Sequence, residues 1–316
     1  MKTGSYYEVN KRKSRWGDTE SPSQVVDPGW PTVDSINSAL RRGILSGLAG
    51  ASAMMIQVSL FIPVDTLLAV QYRYGESATV AWRRLIAQGY GRFYCGIFPA
   101  LIQGPAARFG DTASNATVLN ALDSARITRE APTVIKTTIA SGFAAAWRVF
   151  IIPVDVSKTL WQIYGPLGPK KIFEQYLKFG VGGFYFGSLT AFSAAFLGHL
   201  PWYCTFNSLD QSLPTFSPII RNACLGFTAS FVSDSCTNCF RVLKAIRQAE
   251  GLSYTDAIAS VVKQQGVFGL LTRGLKTRII ANGIQGIFFT VLWRSIESSF
   301  LLRSQQQGER KQIKER

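Results

Sequence analysis

The stretch that decides the fold is GILSGLAGASAMMIQVSLFIPVDTLLAVQY, which runs from residue 43 to residue 72. One charged side chain, Asp65, lies within these thirty residues. A helix needs about 20 predominantly apolar residues to cross the hydrocarbon core of a bilayer. The stretch is therefore long enough to cross a membrane, and the tripeptide Pro63-Val64-Asp65 lies near its end.

Further apolar stretches follow along the chain. Three are comparably apolar, at residues 135–159, 185–209 and 223–240, and two are more polar, at residues 97–122 and 279–293. The composition agrees, because 47% of the residues are hydrophobic, 17% are charged and the mean hydropathy is +0.12. The sequence predicts an all-α membrane protein with six transmembrane helices.

The formal net charge of +15 is unevenly distributed between these stretches. Segments 73–95, 163–187 and 241–276 contain 4, 3 and 6 Lys plus Arg residues, against 2 in segments 119–131 and 209–218 together. The loops that follow odd-numbered helices are thus expected to share one face of the membrane, with both termini opposite. Such basic loops predict contact with anionic, cardiolipin-like lipids. Because aromatic residues are not interleaved with the bases, no nucleic-acid partner is predicted.

An internal repeat relates these segments. The tripeptide at residues 63–65 recurs at 153–155, and Val-Ser-Asp at residues 232–234 is a weaker echo. Three glycines, Gly89, Gly180 and Gly266, are each followed after five or six positions by a triplet that ends in glycine. These triplets lie at residues 94–96, 185–187 and 272–274. Recurrence of two landmarks in register predicts three versions of one structural unit.

Each unit has the pattern of a long apolar helix, a short amphipathic helix in a basic loop, and a second apolar helix. The units are predicted at residues 38–125, 132–212 and 217–302, between a polar N-terminal tail (1–37) and a basic C-terminal tail (303–316). Pro63 and Pro153 predict helix kinks, because proline removes a backbone hydrogen bond. Acids at equivalent depths in three spans predict a central polar axis.

Residues 153–158, Pro-Val-Asp-Val-Ser-Lys, match a motif that repeats three times in one known family. The chain resembles the mitochondrial carrier family over residues 38–302, with the signature Pro-x-[Asp/Glu]-x-x-[Lys/Arg] on each odd-numbered helix. In that family the signature is followed, after a loop, by glycine and then by aromatic-[Lys/Arg]-Gly. The resemblance implies a bundle of six helices around a central cavity, which opens alternately to either side and is closed by salt bridges among the signature residues.

The resemblance also implies which residues pair. The acid of each unit is expected to meet the base of the next, so Asp65 is expected to pair with Lys158. Leu68 and Thr237 stand at the other two base positions, and no base is therefore expected opposite Asp234 and Asp155.

Two further positions of this gate follow from the resemblance. Gln71 matches a glutamine that braces the salt bridges in the family. A second gate, on the even-numbered helices, is expected to be degenerate, because its acid positions hold Ala116, Asn207 and Arg294.

Polar side chains in mid-span that belong to neither gate are the candidates for substrate binding. Arg148 lies five residues before Pro153, and its guanidinium can hold a carboxylate bidentately. Arg108 and Asp111 share one face of the second predicted helix, beside Gln103. Because Arg108 and Asp111 can pair with each other, Arg148 is expected to be the uncompensated cation.

Three more candidates complete the substrate-binding set. His199 is the only histidine, so proton coupling is one reading and a hydrogen-bonded structural histidine is the other. Asn282 and Gln285 supply uncharged hydrogen-bonding groups on the last helix. The five cysteines, including Cys236 and Cys239 in a C-x-x-C, lack the neighbours that a metal site requires, so no metal or cofactor is predicted.

Two functions remain open at this stage. The first is a transporter that exchanges a small, carboxylate-like anion by alternating access, and the resemblance implies the mitochondrial inner membrane, with a peroxisomal or plastid membrane as the alternative location. The second is a carrier-fold protein without transport activity that serves as a subunit or adaptor of a membrane protein complex. Enzymatic activity is not predicted, because the sequence contains no recognisable catalytic or nucleotide-binding motif.

Overall fold

The computed structural model describes residues 33–212 and 218–288, and all regular secondary structure in these ranges is helical. The first 32 residues of the predicted N-terminal tail and the whole predicted C-terminal tail lie outside the described residues. So do residues 289–302 of the third predicted unit.

The helices follow one another with short connections. In chain order they are α1 (Val33–Tyr74), α2 (Ala78–Ala87), α3 (Ile97–Ser124), α4 (Arg126–Arg129), α5 (Thr133–Phe150), α6 (Ile152–Tyr164), α7 (Gly168–Phe179), α8 (Ser188–Ser212), α9 (Pro218–Glu250), α10 (Tyr254–Thr272) and α11 (residues 275–288). The helices α2, α7 and α10 lie in the basic segments 73–95, 163–187 and 241–276, where the short amphipathic helices were predicted.

The two prolines of the repeated tripeptide affect their helices differently. The helix is interrupted at Ile151, two residues before Pro153, and this break separates α5 from α6. By contrast, α1 runs through Pro63 without interruption over its 42 residues. A proline lacks the backbone N–H that would continue the hydrogen-bond ladder, so a break just before it is physically reasonable.

The loops between the helices have a recurring backbone. In the described residues, nine glycines have a positive φ, and their positions form three sets with one member in each unit. A positive φ is strained for residues with a Cβ atom, which explains why glycine recurs at these positions. The sets are Gly75, Gly165 and Gly251; Gly89, Gly180 and Gly266; and Gly96, Gly187 and Gly274.

The long helices form a ring. Helix α1 packs on α3, α3 on α5, α5 on α8, and α8 on α9, while α6 contacts α1 and α9. Helix α11 completes the ring, because the Asn282 amide donates a hydrogen bond to Asp234 on α9. On the other side of α11, the centroid of the Phe288 phenyl group lies 5.4 Å from the centroid of the Phe61 phenyl group on α1.

At one end of the ring, α1, α6 and α9 converge. Ala69, Ile163 and Ala249, one from each helix, pack together in a buried cluster. The Tyr164 hydroxyl donates to the carbonyl of Ala249 over 3.2 Å, which ties α6 to α9. The convergence closes the ring on the side of α2, α7 and α10.

Two buried arginines in the loops join neighbouring predicted units at this closed end. The Arg92 guanidinium donates to the carbonyls of Gln162 and Ile163, at 2.7 Å each, and so satisfies the C-terminal end of α6. Burial lowers the pKa of Arg92. Arg273 donates to the carbonyl of Tyr72 at the end of α1 and to the side chains of Gln264 and Gln265.

The outer surface of the ring is apolar. Each of the six long helical segments exposes large hydrophobic side chains that do not line the interior, including Leu60, Phe98, Phe143, Leu189, Phe227 and Ile284. Among the described residues, two helical stretches are long and apolar enough to cross a membrane, judged by length and composition: Ala51–Tyr74 and Ile152–Phe206. Six spans were predicted, and the six-span count remains a prediction.

Candidate functional site

The ring encloses a cavity of about 740 Å³. Side chains from α1, α3, α5, α6, α8, α9 and α11 line it, so each of the three predicted units contributes. A pocket of this size falls in the range of small-molecule sites. The seven residues that the sequence analysis proposed for substrate binding all line this one cavity: Gln103, Arg108, Asp111, Arg148, His199, Asn282 and Gln285.

Arg148 forms an ion pair with Asp111. Its Nε lies 3.2 Å from Asp111 Oδ1, and its terminal nitrogen donates to the second carboxylate oxygen. The expectation that Arg148 is the uncompensated cation is therefore wrong. The reason is geometric, because a bidentate pair between helices uses both carboxylate oxygens, whereas an i,i+3 contact within a helix stabilises by about 0.5 kcal/mol at most.

Trp147 holds α5 against α3 beside this ion pair. Its indole N–H donates to the carbonyl of Ala106 over 2.8 Å, and its ring lies on Gly110. A Cβ atom at Gly110 would stand 1.8 Å from the indole. The small residue on α3 thus allows the close approach that brings Arg148 to Asp111.

Two other candidates surround the ion pair. Arg108 lies on α3 close enough to Asp111 and Arg148 to interact with both electrostatically. His199, on α8, interacts electrostatically with the same two residues. This part of the cavity, formed by α3, α5 and α8, therefore combines two guanidinium groups with one carboxylate and one imidazole.

Two acids of the repeated tripeptide, Asp65 and Asp155, lie nearer the closed end. Asp65 Oδ2 is 3.3 Å from Lys158 Nζ, so the pair implied by the family resemblance is formed between α1 and α6. Gln285 on α11 donates to the other oxygen of Asp65 at 3.4 Å. The Gln285 carbonyl in turn accepts from Gln57 at 3.4 Å, which links α11 to α1.

Asp155 also has a basic partner, in contrast to the expectation. Lys244 Nζ lies 2.7 Å from its carboxylate, and Gln248 Nε2 donates to the same oxygen at 2.8 Å. Both partners are on α9, two and three turns beyond the predicted base position at Thr237. Thr237 instead donates to the carbonyl of Ser233 within its own helix.

Asp234 is likewise paired rather than left facing Leu68. Its Oδ1 lies 2.9 Å from Arg241 on α9 and 3.9 Å from Arg278 on α11, and Asn282 donates to Oδ2. Leu68 is buried in an apolar cluster with Val242 and Ile246 of α9. The expectation of two unpaired carboxylates is therefore wrong.

The basic partners on α9, which were not predicted, follow a recognisable spacing in the sequence. Asp234, Arg241 and Gln248 are seven residues apart, which is close to two helical turns, so they share one face of α9. Lys244, ten residues after Asp234, projects within about 60° of Arg241 on that face. The loop glycines carry a second signal, because Lys158 lies seven residues before Gly165 and Lys244 lies seven residues before Gly251.

The predicted brace from Gln71 does not reach this network. Its amide donates to the carbonyl of Glu76 at 3.3 Å, at the end of α1, and its side chain does not line the cavity. Tyr72, the next residue, lines the cavity instead. Of the second predicted gate, Arg294 lies outside the described residues, and the side chain of Asn207 is not described.

The lining charges do not balance. Among the described residues that line the cavity, six side chains are basic and four are acidic, which gives a formal excess of two positive charges. The basic residues are Arg108, Arg148, Lys158, Arg241, Lys244 and Arg278, and the acidic ones are Asp65, Asp111, Asp155 and Asp234. An enclosed site of this charge attracts anions.

No protein-family model matches this chain, and none of the curated proteins matches it either.

Proposed function

We propose that the chain is a membrane solute carrier with six transmembrane helices in three related units, and that it exchanges a small, carboxylate-like anion by alternating access. The observation that carries this proposal is a cation-rich cavity inside a ring of helices whose outer surface is apolar. A soluble protein of this size would show the reverse arrangement, with apolar side chains inside and charges outside. In a bilayer, charged groups face a hydrated interior.

The inter-helix ion pairs supply a mechanism for opening and closing. The carboxylates of Asp65 and Asp155 link α1 to α6 and α6 to α9 towards the end where the helices converge. Asp234 links α9 to α11 farther from that end. Opening this end requires the pairs between units to separate. A bound anion that competes for their lysines and arginines lowers the cost of that separation, which couples substrate binding to the conformational change.

The family resemblance supports the same proposal and adds a location. A mitochondrial carrier is embedded in the inner membrane, whose anionic lipids suit the basic segments at residues 73–95, 163–187 and 241–276. The three sets of positive-φ glycines support the threefold repeat, because the same loop geometry occurs at equivalent positions of each unit.

Counterflow uptake into proteoliposomes tests the proposal. Vesicles loaded with a small carboxylate should accumulate the same labelled anion, and Arg148→Gln should reduce the initial rate at least tenfold. Arg83→Gln is the matched control, because Arg83 is exposed on α2, away from the cavity, and its replacement should leave uptake unchanged. If no carboxylate is exchanged by the intact protein, the proposal fails, and co-purification with a membrane complex would then favour the adaptor hypothesis.

A further inference from the structure

The excess positive charge of the cavity is concentrated in two places. In the first arginine cluster, Arg108 and Arg148 surround Asp111, on α3 and α5. In the second arginine cluster, Arg241 and Arg278 surround Asp234, on α9 and α11. Among the described lining residues, each cluster thus combines two guanidinium groups with a single carboxylate, which leaves a formal charge of +1.

The remaining lining charges cancel. Lys158 is paired with Asp65 at 3.3 Å, and Lys244 with Asp155 at 2.7 Å. These two pairs are formally neutral, so the excess of two charges in the described cavity belongs to the two arginine clusters. The charge that a ligand must neutralise is consequently divided between two sites.

The two clusters repel each other across the cavity. Arg148 of the first cluster is close enough to Arg241 and Arg278 of the second to interact with both unfavourably. A ligand with one negative charge would compensate one cluster, whereas a ligand with two separated negative charges would compensate both.

We propose that the substrate is a small dianion with two separate carboxylates, one bound at each arginine cluster. The inference rests on the proposed function, since it names the substrate class of the same cavity. Arginine suits this role because its planar fork accepts a carboxylate bidentately. Gln103 and Asn282, which line the cavity, supply uncharged polar groups for the body of such a molecule.

Thermal unfolding of the purified protein provides a test that does not depend on transport. Succinate should raise the Tm, while butyrate and inorganic phosphate, compared at equal ionic strength, should raise it much less. Butyrate matches succinate in carbon number but carries one carboxylate, and phosphate places both charges on one group. Arg148→Gln and Arg278→Gln should each lower the apparent affinity for succinate at least tenfold, and Arg83→Gln should not change it.

Two further variants are expected to bind succinate more tightly rather than more weakly. A gain in binding of this kind cannot result from loss of folding. Asp111→Asn and Asp234→Asn each remove the acid from a cluster and raise its formal charge to +2, so succinate should bind more tightly and its stabilising effect should increase. Equal stabilisation by succinate, butyrate and phosphate would overturn the inference. So would undiminished succinate binding in both arginine variants.

Counterflow measurements separate this inference from the proposed function. Exchange of butyrate without exchange of succinate would uphold transport and reject the dianion. Stabilisation by succinate without exchange of any anion would uphold the dianion site and reject transport.

Discussion

At the scale of single residues, the closed end of the cavity depends on two ion pairs between helices, Asp65 with Lys158 and Asp155 with Lys244. Lys158 reaches Asp65 from the third position after an acid, as the family signature has it. On α9, Lys244 lies seven residues before Gly251, as Lys158 lies seven residues before Gly165, but Asp234 lies two turns earlier than the register of Asp155. Residues seven positions apart share one face of a helix, so an acid can move along the face by two turns and still point into the cavity.

The pair between Asp65 and Lys158 can be tested by exchange of the two charges. Asp65→Lys alone places two ammonium groups together, a repulsion of up to about 4 kcal/mol at 4 Å for an effective dielectric constant of about 20. We expect a lower Tm and at least a tenfold loss of anion exchange. The double variant Asp65→Lys, Lys158→Asp should recover most of both, because Gln285 can present either its amide or its carbonyl to residue 65.

An exposed pair provides the control for this exchange. Lys171 and Glu174 form an ion pair of 2.7 Å on α7 with both side chains exposed, and charge reversal by Glu174→Lys should change neither Tm nor uptake appreciably. The double variant could instead show the same low Tm and slow exchange as Asp65→Lys. Function would then require the acid at residue 65 and the base at residue 158, and an ion pair in either orientation would not suffice.

At the scale of helices, the approach of α5 to α3 determines where Arg148 points. The indole of Trp147 rests on Gly110 and is held by the carbonyl of Ala106. Trp147 immediately precedes Arg148 in the sequence, so a displacement of the indole also displaces the guanidinium. Packing between two helices therefore controls the electrostatics of the cavity.

The substitution Gly110→Ala should disrupt this contact. The added methyl group would stand 1.8 Å from the indole, and overpacking of this kind costs about 1–3 kcal/mol. We expect a lower Tm, measured by thermal unfolding in detergent, and weaker anion binding, because Trp147 must shift. Gly142→Ala on α5 is the matched control, since its nearest neighbour would lie 3.9 Å away. Alanine is favoured over glycine inside helices by about 1 kcal/mol, so this variant should be as stable as the parent or more so.

The short loops contribute to packing in a different way. Arg92 of the first unit satisfies the end of α6 in the second, and Arg273 of the third unit satisfies the end of α1 in the first. A buried arginine needs several acceptors, and the last carbonyls of a helix are acceptors without partners of their own. The closed end is thus held by contacts between units as well as by the ion pairs.

At the scale of the whole molecule, the proposed six-span topology places alternate loops on opposite sides of the membrane. Lys170 on α7 and Lys263 on α10 are exposed in the two later basic segments, and Ser124 is exposed at the end of α3. If α5 and α6 together cross the bilayer, residues 124 and 170 lie on opposite sides.

Cysteine labelling measures this arrangement directly. In a variant in which the five native cysteines are replaced, Lys170→Cys and Lys263→Cys should react with a membrane-impermeant maleimide from one side of oriented vesicles. Ser124→Cys should react from the other side. Labelling of all three positions from the same side would contradict the six-span topology, whereas detergent should make every position reactive and thereby confirm that the reagent can reach it.

The sequence by itself determined the features that depend on local chemistry. Apolar length predicts helices, and the described residues are helical throughout their regular structure. Recurrent glycines mark loops, because a positive φ is strained for other residues, and Gly89, Gly180 and Gly266 all adopt it. The seven polar candidates were chosen because they lie in mid-span, two of them on one helix face, and all seven line one cavity.

The tertiary structure alone decided which charges meet. Asp111 forms an ion pair with Arg148 of another helix although Arg108 lies three residues away on the same helix, and Asp155 is paired with Lys244 rather than left opposite Thr237. Pairing of this kind depends on the distance, rotation and axial shift of one helix relative to another. Those quantities are set by contacts between distant segments, such as Trp147 on Gly110, and the repeat pattern of a single helix does not contain them.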